Sequence, residues 1–375
     1  MSRDPLSIAE RMSYIEASGI RKFFDLSQSM KDPINLSIGQ ADFDPNPEVQ
    51  EAAIAAIREG KNRYTVTQGI EPLRVGLREK MAKCFPINES DDLIITSGVS
   101  GGLMLTYLCT LNPGDEIMIP DPYFVMYKHL ARVAGAVPVC YSTFPDFQIT
   151  RERLNAAYSD KTRALLINSP SNPTGYVYSE EEVKIAAEFA REKNILLISD
   201  DIYYEFSYDR KHTSPKLFND QTLVLGGFSK SYGVPGWRMG YAIGPQAILD
   251  QMRVLQQFSF VCAPTPAQWG ILAGLDMDFS EHCANYRVKR DIVFDGLKDR
   301  FQIVKPEGSF YMFPQLPEGV KDADFVAKCI ENNTLVVPGS ACSTRDTHFR
   351  ISFAVDNDTL KRGVDVLNRV LDELV

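Results

Sequence analysis

The sequence predicts an α/β protein: a large domain with a mostly parallel seven-stranded sheet flanked by helices, plus a smaller α+β domain. Three observations lead there. Seven short apolar runs, rich in Ile, Val and Leu and bounded by Gly, Pro, Asp or Ser, lie between residues 92 and 244. Such runs read as buried strands of a largely parallel sheet. Amphipathic helical patterns lie between most of them, and strands alternating with helices indicate an α/β domain. After residue 278 the pattern changes to a long helix, three strands and a closing helix. The expected division is 46–278 for the large domain, with 1–45 and 279–375 forming the small one.

The runs, in order, are 92–98, 115–122, 137–141, 163–170, 195–201, 222–227 and 239–244. Among the helices, 179–194 is the clearest. Ser179 is a candidate N-cap, Glu180 to Glu182 complement the positive end of the helix dipole, and Val183, Ala186, Ala187 and Ala190 make an apolar stripe. Segment 47–60 begins with Pro47 and stops at Gly60. In the last third, 284–301 reads as a helix, and 308–313, 334–339 and 348–354 read as strands. Residues 358–375 form a helix with Leu360, Val364, Leu367, Val370, Leu371 and Leu374 on one face. The N-terminal segment has no strong strand before Ile34 to Ile38 and is expected to pack on the small domain.

A chain of 375 residues, 44% hydrophobic and 24% charged, has ordinary globular composition and needs no disulfide or metal to fold. Its net charge is −9, with basic residues spread along the chain, which argues against a nucleic-acid partner. The 7 cysteines are scattered and form no CxxC pair, which fits reduced thiols in a cytoplasmic protein. The first residues lack the apolar core of a signal peptide, and no run of about 18 apolar residues exists to span a membrane. The 4 histidines are isolated, so no metal site is expected.

Ligands of an open α/β sheet bind beyond the carboxyl ends of its strands. The residues there include Gly98-Val99-Ser100, Phe124, Asn172, Asp200, Tyr203 and Ser229-Lys230. That set suits an anionic aromatic ligand whose carbonyl reacts with an amine. Pyridoxal phosphate makes matching demands. Its aldehyde needs a lysine, its ring nitrogen a buried acid, its phosphate a helix start and a cation, and its ring an aromatic face.

Over nearly its whole length the chain resembles the class I/II aminotransferases of pyridoxal-phosphate fold type I, nearest in look to the aspartate and aromatic amino acid enzymes. FSKSYGVPGWRMGYAIGP (228–245) looks like the family's lysine segment, NSPSNPTG (168–175) its asparagine motif, and SDDIYYEFSY (199–208) its Asp-x-x-Tyr motif. NLSIGQADFDPNP (35–47), RYTVTQGIEPLR (63–74) and FRISFA (349–354) resemble its N-terminal glycine, tyrosine and carboxylate-arginine segments.

The resemblance implies these roles. Lys230 is the Schiff-base lysine, Asp200 pairs with the pyridinium nitrogen, and Asn172 and Tyr203 bond the ring's phenolic oxygen. Phe124 stacks on the ring. Val99, Ser100, Ser229 and Arg238 hold the phosphate, and Tyr64 reaches the phosphate of the other subunit of a homodimer. Arg350, with Asn172 and the backbone around Gly39, takes the substrate α-carboxylate. The implied reaction moves an amino group from an aromatic or aspartate-type amino acid to a 2-oxo acid such as 2-oxoglutarate. It runs through the pyridoxamine form, with ping-pong kinetics. Segment 17–26 with the lysine segment resembles branches holding aromatic and broad-range aspartate-type enzymes.

Two positions depart from the pattern. Gly227 stands where many relatives carry a phosphate-binding serine, and Ser100 where one subgroup carries a lysine that reads a side-chain carboxylate.

Each residue also has a structural reading. A lysine is most often a solvated surface residue, but Lys230 sits between an apolar strand and a Gly-Pro-Gly-rich turn. Arg350 alone reads as an ion-pair partner, Tyr64 and Phe124 as packing, and Asn172-Pro173 as a turn. A carbon–sulfur β-lyase of the same fold shares Lys230 and Asp200 and remains an alternative. A pyridoxal-phosphate-binding regulatory module is disfavoured because no basic DNA-binding segment occurs. A dinucleotide-dependent dehydrogenase is disfavoured because no G-x-G-x-x-G follows the early strands.

Overall fold

The computed structural model describes residues 7–16 and 26–375. The segment singled out at 17–26 therefore lies, except for Leu26, outside the described residues, as do the first six residues.

The seven predicted runs are seven strands of one sheet. They are β2 (Asp91–Ser97), β3 (Glu116–Asp121), β4 (Val137–Ser142), β5 (Thr162–Asn168), β6 (Leu196–Asp200), β7 (Leu223–Gly227) and β8 (Met239–Pro245). Their order is β2-β8-β7-β6-β5-β3-β4. Every neighbouring pair is parallel except those of β8, which runs antiparallel to both β7 and β2. The reversal of β8 has a consequence for the site. Its amino end lies at the edge where the other strands have their carboxyl ends.

Helices cover both faces, as a sheet buried on two sides requires. α1 (Pro47–Arg58), α2 (Glu71–Ala82) and α8 (Thr265–Ala273) lie together, with Leu73, Leu77 and Ile271 packed against Ile95 and Ile243 of the sheet. α3 (Gly98–Thr110), α4 (Val125–Val133) and α7 (Gln246–Gln257) pack through Leu103, Tyr127 and Met252 on Ile119 and Leu225. α5 (Arg151–Ala157) and α6 (Glu180–Lys193) close the sheet beyond β5.

Local chemistry explains the helix ends. At α6, Ser179 and Glu182 form a reciprocal capping box and Asn194 ends the helix in the left-handed conformation. At α1, Asn46 accepts the Glu48 N–H at 2.8 Å and Pro47 occupies the first turn.

The last third builds a second core. α9 (Ser280–Leu297), β9 (Tyr311–Met312), α10 (Asp322–Glu331), β10 (Thr334–Leu335), β11 (Val337–Pro338), β12 (Phe349–Ser352) and α11 (Asn357–Asp372) follow in order. Leu360, Leu367, Val370 and Leu371 of α11 are buried against Val293, Phe325 and Phe349, as the amphipathic stripe predicts. β1 (Ile34–Asn35) pairs in parallel with β10. The strands here are shorter than the sequence suggests. Ser309 takes a left-handed φ of 54°, which bends 308–313 out of extended form.

Candidate active site

One cavity of about 260 Å³ opens at the carboxyl edge of the large sheet, facing β9 and β12. All the sequence-predicted site residues line it except Tyr64.

Lys230 follows β7 and points into the cavity, where its Nζ donates to the Gly39 carbonyl. Burial pushes its amine down to about 8, with the guanidinium groups of Arg350 and Arg238 adding to the effect and Asp200 opposing it. An amine in that range is neutral often enough near physiological pH to act as a nucleophile and base.

Asp200 ends β6 and is buried. It accepts the Tyr127 hydroxyl at 2.7 Å and the Ile202 N–H at 3.2 Å. Burial pushes its carboxyl up to about 6; the bonds from Tyr127 and Ile202 and the charge of Lys230 pull the other way, while Asp201 adds to the rise. A carboxylate so placed is short of a counter-charge, and a protonated ring nitrogen supplies one.

The start of α3 is suited to an anion. The first N–H groups of a helix have no intrahelical acceptor, and Ser97 gives no side-chain cap. Arg238 leads into β8 and lies against this turn, held by the Pro235 carbonyl at 3.1 Å. The fit is close enough to demand glycine. A Cβ on Gly98 would lie 2.6 Å from the Arg238 guanidinium, and one on Gly240 2.5 Å from the Gly98 backbone. Arg238 itself sits at φ 55°, a conformation that costs a non-glycine residue energy and recurs at functional sites. The departure at Gly227 has a steric reason too. A Cβ there would meet Ile202, Val99 and the Met239 carbonyl at 3.0–3.2 Å, so this turn has little room for serine.

Arg350 comes from β12 and is fully buried. Its Nη1 donates to Asn172 Oδ1 at 3.1 Å and its Nη2 to the Ser37 carbonyl at 2.8 Å. Neither partner is charged, and Nε is buried without a partner. A buried guanidinium left in this state favours an incoming carboxylate.

Three cavity residues escape strand-end reading. Tyr127 stands three residues after Phe124, on the first turn of α4. Asn168 is the last residue of β5, one position before the segment read from it. Its side chain donates to the Asp200 carbonyl at 2.8 Å and accepts the Asn172 N–H at 2.9 Å. Tyr311 arrives from β9, and its hydroxyl lies 3.1 Å from that of Tyr203. The helical spacing from Phe124 is a signal for Tyr127; Tyr311 has none. Tyr64 lies elsewhere, 82% exposed, in a shallow groove beside Arg63 and Cys262. Among the described residues no cluster suited to a metal ion occurs, and no described helix is long and apolar enough to cross a membrane.

A lysine amine lowered to about 8, a buried carboxylate and two separated groups of donors suited to anions at this sheet edge match a pyridoxal-phosphate-dependent enzyme that handles amino acids. The chain belongs to the aminotransferase class I and II family, whose model matches residues 31–367. It is 36% identical over 378 residues to a probable aspartate aminotransferase of Methanocaldococcus jannaschii, covering 97% of this chain and 100% of that one. It is 31% identical to aromatic-amino-acid aminotransferase 2 of Thermococcus litoralis, covering 98% of this chain and 99% of that one. Among solved structures, aspartate aminotransferase from Thermus thermophilus with maleate superposes with a TM-score of 0.92 at 31% identity, covering 97% and 99% of the two chains. The protein is an aminotransferase, and members of its family use pyridoxal phosphate.

Proposed function

We propose that the protein transfers the amino group of an aromatic or aspartate-type L-amino acid to a 2-oxo acid such as 2-oxoglutarate, in a ping-pong cycle. The observation that carries this reading is the pairing of Lys230, an amine lowered to about 8, with Arg350, a buried guanidinium that lacks an anionic partner. When bound, pyridoxal phosphate supplies an aldehyde that condenses with amines and a ring that accepts an electron pair from the substrate Cα.

The chain's residues divide the remaining work. Lys230 Nζ would anchor the cofactor and, when free, would carry the proton from and back to the substrate side at its own amine. Asp200 would hold a proton on the ring nitrogen, Asn172 and Tyr203 would bond the phenolic oxygen, and Phe124 would cover the ring. The α3 amides at Val99 and Ser100, with Ser229 and Arg238, hold the phosphate. Arg350 takes the α-carboxylate, which orients the Cα–H bond, with the backbone around Gly39 beside it. The proposed division into 46–278 and the remainder would set Arg350 and Lys230 on opposite sides of this cleft.

The side-chain end of the cavity favours aromatic donors. Among the described residues its cations are Lys230, Arg238 and Arg350, each with a role already, and Met126 and Ile202 add apolar wall. Ser100 offers no charge where one subgroup has lysine.

A panel of amino donors against 2-oxoglutarate tests the reading. Wild-type protein is expected to carry pyridoxal phosphate that borohydride fixes to the peptide holding Lys230, and to convert aromatic donors to their 2-oxo acids. Absence of bound cofactor, or pyruvate and ammonia from cystathionine without any acceptor, would overturn it. Tyr64 gives a second test. The proposed homodimer has twice the 42.1 kDa chain mass in sedimentation. Tyr64→Ala is expected to weaken cofactor retention roughly tenfold, the worth of about one charge-assisted hydrogen bond, with the fold unchanged by circular dichroism.

A further inference from the structure

Tyr311 is buried, 1% exposed, yet its hydroxyl reaches the cavity. It stands on β9, directly opposite Ser352 of β12, so it shares a strand pair with Arg350. Three groups of the site meet it. The Arg350 guanidinium lies 4.7 Å from its ring centroid. Its hydroxyl lies 3.1 Å from the Tyr203 hydroxyl. That same hydroxyl fills the space a side chain at position 39 would need, 2.2 Å from an ideal Cβ on Gly39, whose carbonyl accepts from Lys230.

A tyrosine hydroxyl has one proton and accepts through its lone pairs. If Tyr311 donates to the Tyr203 oxygen, the Tyr203 proton is free to point into the cavity. If Tyr203 donated to Tyr311, it would have nothing to give a ligand. Either hydroxyl can donate within the pair, but once a ligand oxygen takes the Tyr203 proton, the Tyr203 oxygen can only accept, and Tyr311 is its donor. The two rings meet edge to face at 5.7 Å, which holds the hydroxyl pair in register.

We propose that Tyr311 is a positioning residue: its hydroxyl fixes Tyr203 as a donor into the cofactor cavity, while its ring backs the Arg350 guanidinium that takes the substrate carboxylate. The inference rests on the reading of Tyr203 and Arg350 given above. It divides one side chain into two functions, a hydroxyl that acts on the cofactor side and a ring that acts on the substrate side. Two substitutions separate them.

Tyr311→Phe removes only the hydroxyl. Tyr203 then loses the donor that polarises its O–H, and its bond to the phenolic oxygen weakens. The pH midpoint of the absorption of bound pyridoxal phosphate is expected to rise by about 0.5–1 unit, the worth of one ordinary hydrogen bond. The KM for the best amino donor stays within about twofold, because the ring still backs Arg350. Tyr311→Leu removes both functions. It is expected to show the same midpoint shift and, in addition, a rise of roughly fivefold or more in KM and in the Kd for maleate, a non-reacting dicarboxylate probe. A midpoint in Tyr311→Phe equal to that of wild type overturns the proposal. So does a Phe variant whose KM rises as much as that of the Leu variant, since that outcome marks general loosening. If wild type transaminates normally while these variants fail the test, only the role of Tyr311 falls. If wild type binds no pyridoxal phosphate, the reading of the whole site falls with it.

Discussion

Lys230→Ala is expected to lower amino transfer by at least about 10³-fold, because the proposed mechanism has this one side chain supply both the nucleophile and the proton carrier. The loss should sit in kcat, with substrate still bound through Arg350. Its fold should persist. The amine is a buried group whose charge is disfavoured, so its removal leaves no charged partner stranded; the Asp200 carboxylate keeps its bonds from Tyr127 and Ile202. Noncovalent cofactor binding should also persist in part, since the α3 turn and Arg238 are untouched. Borohydride should then fix no cofactor to the chain. Activity within tenfold of wild type would reassign the chemistry away from this lysine.

The depressed amine adds a pH signature. In the cofactor-free protein, the rate at which Lys230 captures pyridoxal phosphate should follow its neutral fraction. It rises about tenfold per pH unit below about 8 and levels above it. An exposed lysine would continue to rise to about 10.4. The linkage sign follows from the same shift. Between about 8 and the ordinary lysine value the unfolded chain binds the extra proton, so this group makes the cofactor-free protein more stable as pH rises through that window.

Much of this site was legible because its residues follow strands. Apolar runs end where the sheet edge begins, and the chemistry sits within a few residues of each end. Lys230, Asp200, Asn172 and Phe124 came from that rule together with the family resemblance. The direction of β8 was not legible, because a strand buried on both faces has the same composition whichever way it runs. That reversal is what carries Arg238 to the turn at Gly98 that opens α3. Tyr311 was hidden for a different reason. It belongs to β9, a two-residue strand in the other core, and only tertiary packing brings its hydroxyl to Tyr203. Strand lengths in that part were overread because 334–339 splits into β10 and β11, each pairing with a different partner. The apolar pattern is continuous across the break, since both halves are buried in one core.

Asp200→Asn is expected to lower kcat by about 10²–10³-fold, the usual cost of removing one preorganised electrostatic contact from a reacting centre. The substitution keeps shape and can keep a hydrogen bond with the Tyr127 hydroxyl. What it removes is the negative charge proposed to hold a proton on the cofactor's ring nitrogen. Without that proton the ring is a weaker electron acceptor, and loss of the Cα proton to Lys230 slows. The carboxylate site at Arg350 is built from Asn172, Ser37 and Tyr311 on other elements, so KM should move only a few-fold. Lys230 should respond as well. Asp200 is the one group that raises its amine against burial and two guanidinium charges, so in Asp200→Asn the amine falls further. Cofactor capture by the cofactor-free variant should therefore reach its plateau at lower pH than in wild type. A variant with slow turnover and an unmoved capture profile would mean that Asp200 acts on the ring alone; one with normal turnover would remove it from the chemistry.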